Sequence, residues 1–197
     1  MRYDAEHKQK TRQRVLKEAA KAIRAEGPHR VGVAGVMASA GLTHGGFYAH
    51  FASKDELVAA AIGQMFDEGA RRRTATMEDG APAEALAAYL DFYLSAEHRD
   101  MRTAGCPLPF MAADMPRLAG PARIRFAAGV AELTAAIARS LATIGRRHAQ
   151  EEASSVLAEM AGALALARAE PDPERSEAIL RSSRRSIKRR LGLEDRS

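Results

Sequence analysis

The sequence predicts an all-α protein, and three observations carry that expectation. Every long segment repeats apolar residues at helical spacing, none alternates apolar and polar residues as a half-buried strand does, and the segments are separated by glycine and proline. The chain has 197 residues, 46% hydrophobic and 28% charged, enough for a sizeable core in one or two small domains. No apolar run approaches the roughly 20 residues that cross a bilayer, so a membrane span is not expected. The start leads into alternating charges rather than an apolar core, and a single cysteine forbids an internal disulfide. Both place the chain, as an expectation, in a reducing cytoplasm.

The first helix is read over 5–26, with Leu16, Ala19, Ala20 and Ile23 on one face and Gly27-Pro28 as its stop. Two short segments follow, 32–40 and 43–50, joined at Gly41. Ser53 then opens a long helix, because its hydroxyl can cap free amides while Glu56, three residues on, reaches back to the cap. The apolar ridge of that helix is Leu57, Val58, Ala61, Ile62, Met65 and Phe66, and it gives way to Gly69 and three arginines. Asp79-Gly80-Ala81-Pro82 breaks the chain before a helix bearing Leu86, Tyr89, Leu90, Tyr93 and Leu94. Gly105-Cys106-Pro107 breaks it again, leaving room for one short helix over 108–115 and a long one marked by Phe126, Val130, Leu133, Ile137, Leu141 and Ile144. Two more helices, numbers 8 and 9, are read over 149–169 and 174–191; Glu170-Pro171-Asp172-Pro173 separates them and Gly192 ends the second.

Charge divides the chain. Residues 1–54 hold ten basic side chains against four acidic ones, while the whole chain carries a net +5, so the remainder is near −1. Such asymmetry points the N-terminal quarter toward a polyanion. The two short helices around Gly41, beside a basic first helix, outline a helix-turn-helix whose second member lies in the major groove of DNA. Thr43 stands at the start of that segment, where free amides and the positive helix end attract phosphate. Gly45 and Gly46 each cost about 1 kcal/mol in a helix interior, which makes sense where a ligand's backbone must come close. His44 and Tyr48, four apart, are read on one face, and Phe47 with Phe51 on the core face. Tyr48 offers a hydroxyl to phosphate and His44 is the candidate to touch a base edge. His50 is read either as a phosphate contact or as a packing residue. Lys8, Lys10, Arg12 and Arg14 add sequence-independent, salt-sensitive attraction.

The gapless stretch Ala40-Gly41-Leu42-Thr43-His44-Gly45-Gly46-Phe47-Tyr48-Ala49-His50-Phe51-Ala52-Ser53-Lys54-Asp55-Glu56-Leu57 closely resembles the signature of the TetR family of one-component transcriptional repressors. The resemblance implies an N-terminal three-helix DNA-binding domain, residues 1–54, and a C-terminal helical bundle, residues 55–197, for ligand binding and dimerisation. It implies that Lys54 pairs with phosphate and that the partners are a pseudo-palindromic double-stranded operator, a small-molecule effector and a second copy of the chain. One departure concerns the helix before the turn: Val31-Gly32-Val33-Ala34-Gly35 lacks the usual capping Thr or Ser, so a soft helix is expected.

Across 65–197 the resemblance is one of layout, and the run 162–169 looks like the AcrR/NemR-like branch. Small residues along helix 8 (Ala153, Ser154, Ala158, Ala161, Gly162 and Ala165) allow close helix approach, so helices 8 and 9 are expected to form the homodimer interface. Met65, Phe66, Tyr89, Phe92, Tyr93, Cys106, Phe110, Met111, Met115 and Phe126 are the candidate lining of an effector pocket, with plain core packing as the alternative. Cys106, before Pro107 and after His98, Arg99 and Arg102, is read as sitting at a helix N-terminus that stabilises a thiolate. Its place resembles the electrophile-sensing thiol of some NemR-like repressors, which gives a redox-responsive alternative. The basic run 184–190 is expected to complement the end of the last helix and remain solvated.

No nucleophile elbow, phosphate loop or dinucleotide fingerprint is present, and the six histidines lack zinc spacing. A small thiol enzyme using Cys106 with His98 has only their coexistence in its favour, and neither an enzyme, a cofactor nor a metal is expected. The function expected is a ligand-responsive DNA-binding regulator, a repressor released by a small apolar or electrophilic effector.

Overall fold

A computed structural model describes residues 2–77 and 80–193, with side chains from Glu6 onward. All regular elements among the described residues are helical. They are α1 (Arg2–Glu26), α2 (Val33–Ser39), a 3₁₀ turn (His44–Ala49), α3 (Lys54–Met77), α4 (Pro82–Tyr93), α5 (Ala96–Asp100), α6 (Leu108–Met111), a second 3₁₀ turn (Met115–Arg117), α7 (Gly120–Thr143), α8 (Ala149–Ala169) and α9 (Pro173–Leu191). No helix among them is long and apolar enough to cross a membrane.

The chain forms two compact units. The first joins the residues up to Glu68 with Arg102–Gly129. Its helices end and begin where local chemistry dictates. Gly27 at φ +84° terminates α1, and Gly41 at φ +68° turns the chain between α2 and the 3₁₀ turn. Ser53 Oγ accepts from the Glu56 amide at 3.1 Å to start α3, and the Glu56 carboxylate reaches back to the Ala52 amide at 2.7 Å, one residue earlier than a capping box requires. Gly32, at the N-cap of α2, offers no side-chain cap, as the sequence implies. The buried faces match the apolar stripes: Leu16, Ala19, Ala20 and Ile23 of α1, Val36 and Met37 of α2, and Leu57, Val58, Ala61, Ile62 and Met65 of α3. α2 packs against both α1 and the first 3₁₀ turn.

The second unit joins Gly69–Met101 with Val130 onward. Its best-developed packing is α8 on α9, with further contacts from α4 to α9 and α5 to α8. Asp172 caps α9 by accepting from the Arg175 amide at 2.8 Å, and Gly192 at φ +70° ends it.

Several expectations are corrected. Ser95 caps an unforeseen helix, α5, through its hydroxyl and the His98 amide at 3.1 Å, so the chain between Leu86 and the break at Gly105 is interrupted by two residues, Leu94 and Ser95. The helix expected over 108–115 is a single turn, because after Met111 the chain passes into the Met115–Arg117 3₁₀ turn. The basic run of α9 is not simply solvated: Lys188 reaches Asp91 at 2.6 Å, Arg190 reaches Glu159 at 2.8 Å, and Arg184 donates to the Leu94 carbonyl at 3.2 Å. Of the expected breaker 79–82, Asp79 lies outside the described residues.

Candidate nucleic-acid interface

The turn His44–Ala49 is anchored by its aromatic residues. Phe47 and Phe51 are buried at 2% and 1% exposure and stack with centroids 5.6 Å apart. The edge of Phe47 meets the Tyr48 ring at 5.3 Å, which steadies Tyr48 while leaving it 71% exposed. Thr43, His44 and Gly45 are exposed beside it. A buried pair thus holds a polar-tipped ring and a histidine outward.

Two details depart from the sequence reading. The segment is 3₁₀, in which residues four apart point about 120° from one another, so His44 and Tyr48 do not share one face as an α-helix places them. Thr43 occupies the N-cap, but its hydroxyl makes no capping bond; the Gly46 amide instead bonds to the Thr43 carbonyl at 3.1 Å.

The glycine pair is informative because nothing inside the protein requires it. Neither Gly45 nor Gly46 has positive φ. A Cβ at Gly45 would meet nothing within 4 Å, and one at Gly46 would make only ordinary contacts with Met37 and Thr43 at 3.7 and 3.8 Å. Conformation and internal packing both tolerate a side chain here. Gly45 is exposed and Gly46 half-buried, so the pair leaves the backbone of the turn uncovered by side chains.

The basic residues sort into free and committed groups. Lys8 and Arg14 are exposed, and Lys10 makes only an exposed pair with Glu6 at 2.7 Å. Lys54 is exposed and donates to the His29 carbonyl at 3.2 Å. Arg12, read as part of the electrostatic arm, is instead a strut. Its guanidinium lies 4.6 Å from the Phe51 ring centroid, donates to the His50 carbonyl at 3.4 Å and meets Glu56 at 3.5 Å. His50 turns inward, with Nδ1 buried and without a hydrogen-bond partner. Burial, then the charges of Lys8 and Arg12, lowers its pKa and favours the neutral ring.

Arg24 has a role the sequence reading missed. Its side chain is 3% exposed and donates to the Gly105 carbonyl at 2.9 Å, the Thr103 carbonyl at 3.3 Å and Glu68 at 2.7 Å. Gln64 donates to the other Glu68 oxygen at 3.0 Å. The available signal was periodicity: Leu16, Ala20 and Arg24 lie four apart, so the guanidinium falls on the apolar stripe of α1.

The candidate pocket residues divide between the units. In the first, Met65 and Met111 are fully buried, Phe66 and Phe126 meet edge to face at 5.6 Å, and Phe110 and Cys106 are half-buried. Met115 is buried there too. The sulfur precedes a helix of only four residues, which carries too few aligned peptides for the thiolate stabilisation read from the sequence. In the second unit Tyr89 and Tyr93 pack edge to face at 6.0 Å, and Phe92 lies between Arg72, 5.7 Å from its centroid, and the stacked ring of His98 at 5.3 Å. His98 Nδ1 is 2.8 Å from the Tyr93 carbonyl, so that nitrogen carries the proton. Burial pushes the pKa of His98 down to about 4 against the opposing effect of that bond, and Arg168 and Arg72 lower it further. At neutral pH the ring is therefore held uncharged, with its Nδ1 proton engaged by the carbonyl.

Comparison with known proteins agrees with this geometry. The family model described as bacterial regulatory proteins, tetR family, matches residues 15–61, and that of the LmrA/YxaF-like transcriptional regulator C-terminal domain matches residues 82–182. No curated protein sequence matches the chain. Among solved structures, a TetR transcriptional regulator from Chloroflexus aurantiacus is 26% identical, with TM-score 0.80 over 95% of this chain and 96% of that one. Reduced NemR from E. coli is 20% identical, with TM-score 0.79 over 91% and 96% of the two chains. SCO4454 from Streptomyces coelicolor is 24% identical, with TM-score 0.76 over 92% and 95%. The two models together span both the turn that carries Tyr48 and most of the helices that follow α3, and on that ground the chain belongs to the TetR family of transcriptional regulators.

Proposed function

We propose that the protein is a ligand-responsive repressor whose two copies present Thr43–Lys54 to successive major grooves of a pseudo-palindromic operator. Residues 1–54 serve as the reading domain and 55–197 as the effector and dimerisation domain. Exposed Tyr48 and Lys54 take phosphate, His44 meets a base edge, and Gly45 and Gly46 let the DNA backbone come close. His50 and Arg12 act from behind, by holding the turn. The observation that supports this reading best is the glycine pair beside an exposed tyrosine, a surface that no internal packing accounts for.

Two heads must sit about 34 to 36 Å apart to meet adjacent grooves, so the reading requires a dimer. The outer stripe of α8 suits one: Ser154, Ala158, Gly162 and Leu166 are exposed, and Leu166 is 63% so. Ala153, included in that stripe on sequence grounds, is buried within the unit. A small-molecule effector held in the second domain releases the operator by binding one conformation of the dimer more tightly than the other.

The test is anisotropy or gel shift with the DNA upstream of the protein's own gene. Tyr48→Phe and Lys54→Ala are expected to weaken binding uniformly across sequences and, for Lys54, to lower the salt slope by about one. His44→Ala is expected to change the preference among operators. Equal losses at every sequence for all three variants contradict the division of roles, and salt-insensitive or absent retardation contradicts the function.

A further inference from the structure

We infer that a cleft in the second unit, formed by the last turns of α3, the start of α4 and the C-terminal half of α7, binds a small organic anion, a carboxylate on a short apolar body. The cleft has a volume of about 400 Å³, within the range of small-molecule sites. Arg73 of α3 and Arg139 of α7 both line it, and neither has an ion-pair or hydrogen-bond partner among the described residues. Of the unit's other arginines, Arg146 pairs with Glu152 at 2.8 Å, Arg190 with Glu159 at 2.8 Å and Arg175 with Glu170 at 3.2 Å, while Arg71, Arg181 and Arg185 are exposed and lie outside the cleft. Two unengaged guanidiniums converging on one concavity concentrate positive potential there, and their planar donors match a carboxylate.

The rest of the lining sets the ligand's other end. Met77, Pro82, Ala85 and Ala136 are apolar, and among the described residues no acidic one lines the cleft. Ser140 and Thr143 already give their hydroxyl protons to their own helix, to Ala136 at 3.3 Å and Arg139 at 2.9 Å, so the donors left for a carboxylate are those of the two arginines. The Glu84 carboxylate stands beside Gly80, at the edge of the cleft, and is engaged by the Ala81 amide at 3.4 Å. Glu78 and Asp79 lie outside the described residues. A body of roughly five to seven carbons fits beside the arginines in this volume. The site deepens the effector reading by giving the ligand a chemical class, and it rests on that reading only for its consequence at the operator.

Calorimetry on the full chain tests the site with hexanoate, its neutral amide hexanamide, and inorganic phosphate. Hexanoate is expected to bind with a dissociation constant of about 1 mM or below, and hexanamide about tenfold more weakly. Arg73→Gln and Arg139→Gln should each weaken hexanoate about tenfold, while Arg71→Gln, exposed on the same helix and outside the cleft, should not. Unaltered melting of each variant shows that the loss is local. No heat with hexanoate up to about 20 mM, arginine variants that bind as wild type does, or phosphate binding as tightly as hexanoate overturns the inference. A separate anisotropy measurement on upstream DNA distinguishes the two claims. Release by hexanoate that disappears in Arg139→Gln supports both, whereas hexanoate binding with unchanged operator affinity supports the site and overturns its role as the effector site.

Discussion

Replacing Arg24 by Met keeps the length of the side chain and removes its charge from a place where water cannot substitute for it. Three charge-assisted donations are lost, to Gly105, Thr103 and Glu68, and Glu68 keeps only Gln64 as a partner. Breaking a buried ion pair from one side costs about 3 to 5 kcal/mol. Glu68 is 25% exposed and can be partly rehydrated, which places the expected loss near the lower end, about 3 kcal/mol. For a chain of this length that corresponds to a melting temperature lower by about 9 °C. Arg12→Met is the internal comparison. Its pair with Glu56 spans 3.5 Å, the two side chains are 36% and 44% exposed, and with its ring contact it should cost about 1 kcal/mol. The assay is urea unfolding followed by circular dichroism, with the double variant Arg24→Met/Glu68→Leu included. Removing both charges should recover much of the loss, because a matched apolar pair often replaces a buried ion pair without penalty. A loss below about 1 kcal/mol for Arg24→Met, or one no larger than that of Arg12→Met, refutes the reasoning.

Acid stability should report on His98. Its folded pKa of about 4 lies below the ordinary 6.5, so the unfolded chain takes up a proton first. Its contribution is therefore intact above pH 6.5 and is lost as pH falls from there toward 4, amounting to about 3 kcal/mol. His98→Gln should flatten the unfolding free energy across that window, and an unchanged slope contradicts the assignment. The two buried glycines of α3 and α7 should behave differently on substitution by alanine. A Cβ at Gly129 overlaps the Phe66 ring, held in the core beside Phe126, so Gly129→Ala should cost about 1 to 3 kcal/mol by overpacking. A Cβ at Gly63 overlaps the guanidinium of exposed Arg125, which can swing away, so Gly63→Ala should lie within about 1 kcal/mol of wild type. Thermal melts of the pair check the contrast, and equal effects contradict it.

Much of the architecture was legible because long amphipathic helices write their period and their ends into the chain. The α8 boundaries were read residue for residue, Pro171 marking where it stops, and α9 starts at Pro173, one residue before the reading placed it. The Ser53 cap was legible for the same reason. Short elements were not. A five-residue helix such as α5 has no period to detect, and Ser95 announces a cap only once the neighbouring carbonyl of Phe92 is known to hold its hydroxyl at 2.8 Å. In the reading head, residue types announced a DNA surface, but α and 3₁₀ geometry share the same residue preferences over six positions, so the side-chain directions stayed hidden. Arg12 and Arg24 look alike in sequence, as basic residues of a basic helix. Their separate duties come from groups 38 to 81 positions away, which local spacing cannot express.

The tight turn that carries Tyr48 has a consequence for recognition. Rewinding it from three residues per turn to 3.6 would bring His44 and Tyr48 from about 120° apart to about 40° apart, close enough to enter the same groove together. The uncapped start at Thr43 and the paired glycines put little in the way of that rotation. As wound here, the two side chains point about 120° apart, so each faces a different part of whatever approaches the turn.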